Sequence, residues 1–381
     1  MIYLDNAATT PMSTNVLAAM IPYLTDRFGN PGSVYWLGIE AQYAVDKARK
    51  QVATRFGAQP EQILFTSGGS EGNNMVIRGL EKHLRQINRT KILTTAVEHE
   101  SVLSAMRSLQ DKGFEVVYLP VGTDGSVTEE TLTEFIDESV GLLSMMYVNN
   151  ETGAVNPVQF AGKLCDRFDV LFHTDCVQAA AAKPLDVPFL RCDYATISGH
   201  KLYGPKGVGA LFVRDTDAME RLDPIISGGA MQEYGKRGGT ENVSGIVGLG
   251  AACEALAFPT AAYDKWFMSA LSSHFPGEFD RVFHRNGAEN CVHNILNLRI
   301  NGVDAETLVL MLSGRNIFIS AGSACNSHSS EPSHVLTAMG LTPEQARSSV
   351  RISFNSNVLF DDVVLAADGF ATDVKTLKGV G

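Results

Sequence analysis

Ser198-Gly199-His200-Lys201 follows the apolar run 194–197 and precedes a second one at 208–213. A lysine held at the end of a buried strand can form a Schiff base with an aldehyde, and a hydroxyl and an imidazole beside it can donate to a phosphate. A lone lysine in a Gly-rich turn is ordinarily a solvated surface group, so two further elements matter. Asp175, in His173-Thr174-Asp175-Cys176-Val177-Gln178, ends the apolar run 170–172. A carboxylate at a strand end can hold a pyridine nitrogen protonated. Ser67-Gly68-Gly69-Ser70-Glu71-Gly72-Asn73 lies between a strand at Ile63–Thr66 and a helix expected over 74–84. Glycines at a helix N-terminus leave backbone N–H groups for a phosphate. In the order loop, Asp, Lys, the three describe a pyridoxal-phosphate (PLP) site.

The elements that must position these residues alternate along the chain. Apolar runs at Ile63–Thr66, Lys91–Thr95, Glu115–Leu119, 142–148, 170–174, 194–197 and 208–213 predict strands, with helical periodicity between them at 101–110 and 132–138. This predicts an α/β fold: a large, doubly wound, mostly parallel sheet covered on both faces, with ligands at the strand ends. The composition shifts near Phe258-Pro259-Thr260. Beyond it, strands at 294–300, 316–320 and 349–354 alternate with helices near 305–312 and 333–339. The expected organisation is a large PLP-binding domain over 1–257 and a smaller α+β C-terminal domain over 258–381, with the first ~15 residues able to pack on the small domain.

Bulk properties exclude some classes. The chain has 381 residues, is 45% apolar, and contains no run of 18 apolar residues, so no membrane span is expected. No secretory signal is evident, and the scattered cysteines 165, 176, 192, 253, 291 and 325 form no C-x-x-C pair. Together these point to a reducing, cytoplasmic setting without a metal site. A net charge of −11 argues against direct nucleic-acid binding.

The chain resembles the group I (NifS/IscS-type) cysteine desulfurases of the class V aminotransferase superfamily, fold-type I PLP-dependent transferases. The resemblance runs from Ile2 to about Asp362. It rests on Tyr3-Leu4-Asp5-Asn6-Ala7-Ala8-Thr9-Thr10-Pro11, Phe28-Gly29-Asn30-Pro31-Gly32-Ser33, Glu98-His99 and Val148-Asn149-Asn150-Glu151-Thr152-Gly153. It continues through Gly199-His200-Lys201-Leu202-Tyr203-Gly204-Pro205-Lys206-Gly207, Arg237-Gly238-Gly239-Thr240, Ser323-Ala324-Cys325 and Glu331-Pro332-Ser333.

The resemblance implies that Lys201 carries the cofactor and then acts as the base, that Asp175 pairs with the ring nitrogen, and that His99 stacks on the ring. Gln178 would bond the ring hydroxyl. Gly69, Ser70, Ser198, His200 and the partner subunit's Thr240 would hold the phosphate, making a homodimer a requirement. Arg351, with Asn149 beside it, would fix the substrate carboxylate. An arginine inside the strand-like Ser349-Val350-Arg351-Ile352-Ser353 also suggests this, because a buried unpaired charge is costly; a structural salt bridge is the alternative.

Cys325, in a stretch of small polar residues, would attack the sulfur of bound cysteine, giving L-alanine and a persulfide for an acceptor protein. His99 is a candidate proton shuttle to the substrate thiol. The alternatives are another class V lyase or aminotransferase, and a catalytically silent scaffold of the same fold. Departures from the family pattern are Gly69-Ser70, Tyr35, Tyr234 and Asn355. The chain ends soon after Asp362, which puts in doubt iron–sulfur scaffold docking of the kind that uses a C-terminal extension, and with Asn326-Ser327-His328 favours a specialised sulfur pathway such as DNA phosphorothioation.

Overall fold

The computed structural model describes residues 1–229, 232–259, 261–287, 291–322 and 331–379. Its strands are β1 (Ile2–Tyr3), β2 (Ile63–Thr66), β3 (Lys91–Thr95), β4 (Glu115–Leu119), β5 (Val140–Ser144), β6 (Leu171–Asp175), β7 (Tyr194–Ser198), β8 (Gly209–Val213), β9 (Phe283–Asn286), β10 (Ile295–Ile300), β11 (Ile317–Phe318) and β12 (Ser349–Ser353).

Seven strands form one sheet in the order β2-β8-β7-β6-β5-β3-β4. Only β8 runs antiparallel, to both β2 and β7. Strands β5 to β8 are buried along their whole length, as strands of a sheet covered on both faces must be. The two-residue strand period sorts their side chains. Leu64, Ile92, Leu142 and Leu171 meet the helices Gly69–Gly79 and Glu100–Gln110 through Met75, Val76, Val102 and Met106. Phe65, Leu93, Leu143 and Phe172 face the other way, onto the helices Trp36–Phe56, Val158–Phe168 and Val243–Ala255.

A second sheet, β12-β10-β9, is antiparallel, and β1 pairs in parallel with β11. Its core gathers Leu296, Leu298, Val350 and Ile352 with Phe267, Leu308 and Phe370 from three helices. The N-terminus joins this half: Leu4 is fully buried in its core, and Asp5 bridges to Ser353. Among the described residues, no helix is long and apolar enough to cross a membrane.

Among the elements whose bounds differ from the sequence reading are three that precede β6. The helix expected over 74–84 begins at Gly69, and a second helix, Glu81–Gln86, follows it. The glycines read as loop are tolerated in the helix because they let it lie close to the sheet. A Cβ on Gly72 would sit 2.6 Å from Thr196 Cγ2 of β7. The helix expected over 132–138 spans Glu129–Phe135, set by Thr128, whose side chain accepts from Thr131 N. The strand expected over 142–148 is β5, Val140–Ser144; beyond it the chain turns into a loop held by buried amides.

Alanine normally favours a helix over glycine by ~1 kcal/mol, yet Gly72→Ala is expected to destabilise this protein by about 1–3 kcal/mol in urea titration, because it overpacks the helix against β7. Adding Thr196→Ser removes the clashing methyl and keeps the hydroxyl, which lies 3.1 Å from His173 Nε2. That double substitution should recover most of the loss; no recovery would mean that the methyl is not the obstacle.

Candidate active site

The C-terminal ends of the parallel strands share one edge of the sheet, where open α/β sheets place their ligands. β6 ends in Asp175, and β7 ends in Ser198 and runs into the turn Gly199–Lys201. β3 leads to His99, and β2 leads to Gly68 at the head of the Gly69 helix. These residues converge on a cavity of about 210 Å³. Of the residues singled out in the sequence, Gly69, Ser70, His99, Asp175, Gln178 and Ser198 line it, as do His200, Lys201 and Arg351.

The N-terminal segment roofs the lysine turn. Lys201 Nζ donates to the carbonyls of Ala7 and Ala8. Gln178 Nε2 donates to Ala7 O at 3.0 Å, and Thr10 N donates to His200 O at 2.9 Å. His200 Nδ1 lies 3.2 Å from Thr9 Oγ1. Burial, reinforced by the positive charges of Lys201 and Lys206, pushes the His200 imidazole down to about 4, so it is neutral at pH 7.

Asp175 is 5% exposed. Its carboxylate accepts from Val177 N at 2.9 Å and from Asn73 Nδ2 at 2.7 Å. The same Asn73 amide reaches Ser101 Oγ at 3.0 Å, and that hydroxyl lies 2.8 Å from His99 Nδ1. His99 caps the Glu100–Gln110 helix by accepting from Ser101 N. Asn73 and Ser101 also line the cavity. Neither was singled out from sequence; the only available signal was their proximity to the glycine loop and to Glu98-His99.

Arg351 is 1% exposed, and its charge is not unpaired. Its guanidinium meets Asp5 at 2.8 Å, Asn150 O at 3.0 Å and Ser320 Oγ at 3.3 Å, and only Nε lacks a partner. The salt bridge held open as an alternative is therefore present, although Arg351 still faces the cavity.

Asn149 is corrected. It is fully buried and does not line the cavity. Its amide donates to Val97 O, and its carbonyl accepts from the backbone of Glu151 and Thr152, so it shapes the loop. Its neighbour Asn150 lines the cavity instead.

Thr240 is exposed and lies outside the cavity of its own chain. Its segment is tied back through Arg237, whose Nε donates to Glu71 Oε1 at 3.0 Å, while Glu71 Oε2 accepts from Ser67 N in the glycine loop. Tyr35, Tyr234 and Asn355 do not line the cavity. Cys325 lies outside the described residues. Cys165, Cys176, Cys192 and Cys253 are buried, and desolvation raises each thiol well above its ordinary value.

The chain matches the aminotransferase class-V family over residues 2–365. It is 43% identical over 385 residues to the mitochondrial cysteine desulfurase of Drosophila melanogaster, covering 99% of this chain and 81% of that protein. A solved NifS-like protein superposes with a TM-score of 0.87 at 33% identity, over 99% of both chains. SspA in complex with cysteine superposes at 0.82 with 36% identity, over 94% of this chain and all of that one. With a family match across nearly its whole length and such a relative, the chain belongs to the class-V aminotransferases and, within them, to the cysteine desulfurases.

Proposed function

We propose that this protein removes sulfur from L-cysteine, leaving L-alanine and a persulfide on Cys325 that passes to an acceptor protein. The observation that carries this reading is the convergence of a lysine amine, a carboxylate, a glycine-headed helix and a buried arginine on one cavity.

The residues fit pyridoxal phosphate. A Cβ on Gly69 would stand 2.9 Å from Val177 Cγ2, so only glycine leaves that wall of the cradle open. Ser70, Ser198 and the neutral His200 surround the same helix N-terminus and supply donors for a dianion. Asp175 would hold the ring nitrogen and Gln178 the ring hydroxyl. Bound there, the cofactor would supply an electron sink for the α-carbon of an amino acid.

Lys201 would tether the cofactor and, once the substrate amine displaces it, remove and return the α-proton. Its present partners, the Ala7 and Ala8 carbonyls, would keep the amine aimed into the cavity. Arg351 would hold the substrate carboxylate, with Asn150 beside it in place of Asn149. His99 would handle the proton at the substrate thiol. The thiolate of Cys325 would then attack the substrate sulfur, forming an S–S bond as the C–S bond breaks toward carbon.

A homodimer is favoured by an apolar surface along one stretch of chain: Phe28, Val34, Trp36 and Tyr43 are 69%, 91%, 71% and 71% exposed. A monomer rarely shows this to water. The exposed Thr240 would serve the partner's phosphate site.

Three experiments test this reading. Cys325→Ser should keep the bound cofactor and still bind cysteine, yet release no alanine; turnover near the wild-type rate would move the chain to the lyases. Arg351→Ala should raise the KM for cysteine by roughly 30-fold or more, the effect of removing one partner of a desolvated charge pair at about 2–5 kcal/mol. A rise under about threefold would mean that Arg351 serves only Asp5. Mixing a Lys201→Ala chain with a Thr240→Ala chain should give heterodimers with one site lacking both residues and one site keeping both. The intact site should retain PLP on dilution like the wild type. If it does not, Thr240 acts within its own subunit.

A further inference from the structure

The hydrogen bonds around His99 have a direction. Ser101 N lies 3.1 Å from His99 Nδ1, and a backbone N–H can only donate, so that nitrogen carries no proton. Ser101 Oγ approaches the same nitrogen at 2.8 Å, so the hydroxyl donates too. The oxygen lone pair it leaves is filled by Asn73 Nδ2 at 3.0 Å. The second hydrogen of that amide goes to Asp175 at 2.7 Å. Turning the amide over would face its carbonyl oxygen onto the carboxylate, so the charge on Asp175 fixes the orientation. Asn73 is 1% exposed and its Oδ1 is left without a partner, which is the cost of holding the amide this way round.

We infer that Asn73 and Ser101 are positioning residues that hold His99 as its Nε2–H tautomer, so that the resting imidazole offers a hydrogen-bond donor to the substrate rather than a base. A proton on Nδ1 would face the Ser101 N–H and abolish the helix cap, and in the imidazolium it would also add a positive charge at a helix N-terminus. A histidine kept neutral at a helix N-terminus acts elsewhere as an electrophile for the same reason. Among the described residues, the other titratable or charged groups facing this site are Asp175, His200, Lys201 and Arg351 in the cavity, with Glu98 and Glu100 on either side of His99 in the chain. Glu98 is fully buried, and desolvation pushes its carboxyl up to about 8, so it adds little charge at neutral pH. The first proton removal therefore falls to Lys201. This inference rests on the desulfurase reading for what His99 donates to, but the tautomer does not.

Nitrogen NMR of holoenzyme labelled at its nine histidines tests it, with His99→Gln assigning the signal. The expected spectrum at neutral pH shows a bare Nδ1 and a protonated Nε2. Ser101→Ala should raise the proton affinity of His99 about fivefold, the value of one lost hydrogen bond of about 1 kcal/mol. Ser101→Thr should restore it. A protonated Nδ1 in the wild type, or an unchanged titration in Ser101→Ala, overturns the inference. Separately, cysteine turnover by His99→Gln at the wild-type rate would sink the donor role while the spectrum still reports the tautomer.

Discussion

The ion pair between Asp5 and Arg351 anchors the N-terminal stretch that links two halves of the molecule sharing no sheet. Asp5 follows β1, whose partner is β11, and its backbone bridges to β12. The next residues, Ala7 to Thr10, lie across the lysine turn at the edge of the seven-stranded sheet. One short stretch therefore touches Lys201, Gln178 and His200 on one side and Arg351 on the other. It is one of the links between the lysine turn and the arginine strand, beside the hydrogen bonds of Arg351 to Asn150 O and of Asn297 to Glu151 O. An ion pair this buried is weak evidence for net stability, because desolvation offsets much of its attraction. Its value here is in register: it fixes where the guanidinium sits relative to the amine.

The second constraint is the parallel sheet itself. Strands that run side by side in one direction bring their C-terminal ends to one edge, so residues far apart in sequence become neighbours without any local signal. Asp175 and Ser198 come to the same edge this way, at the ends of adjacent strands in which Asp175 is in register with Thr196. The Gly69 helix completes the arrangement because Gly72 lets it pack tightly on β7, carrying Asn73 to Asp175.

Most of the fold was legible in the sequence because fully buried strands read as continuous apolar runs, and β2, β3 and β4 have the expected bounds. Where the reading slipped, the pattern was ambiguous. Glycines at 68, 69 and 72 looked like loop, and only the close approaches of Val177 to Gly69 and of Thr196 to Gly72 explain why a helix carries them. The apolar run past Ser144 continued the strand on paper, but buried Asn149 and Asn156 side chains organise a loop there. Within the site, strand-end residues such as Lys201 and Asp175 stood out by type and context. Asn149 was named for the site and Asn150 was not, because adjacent asparagines are indistinguishable without the backbone direction. Asn73 and Ser101 were invisible because their importance lies in whom they meet, not in what they are.

The burial of the other thiols has a consequence for sulfur chemistry. A protein that carries a persulfide risks losing it to its own cysteines by exchange, and exchange requires an attacking thiolate. Cys176, next to Asp175, is fully buried, as are Cys165, Cys192 and Cys253 or nearly so, and desolvation keeps each of them protonated. They are poor acceptors despite their number. A persulfide carried by this protein would thereby be shielded from these four thiols, leaving the half-buried Cys291, whose thiol desolvation also raises, and outside thiols as the routes for exchange.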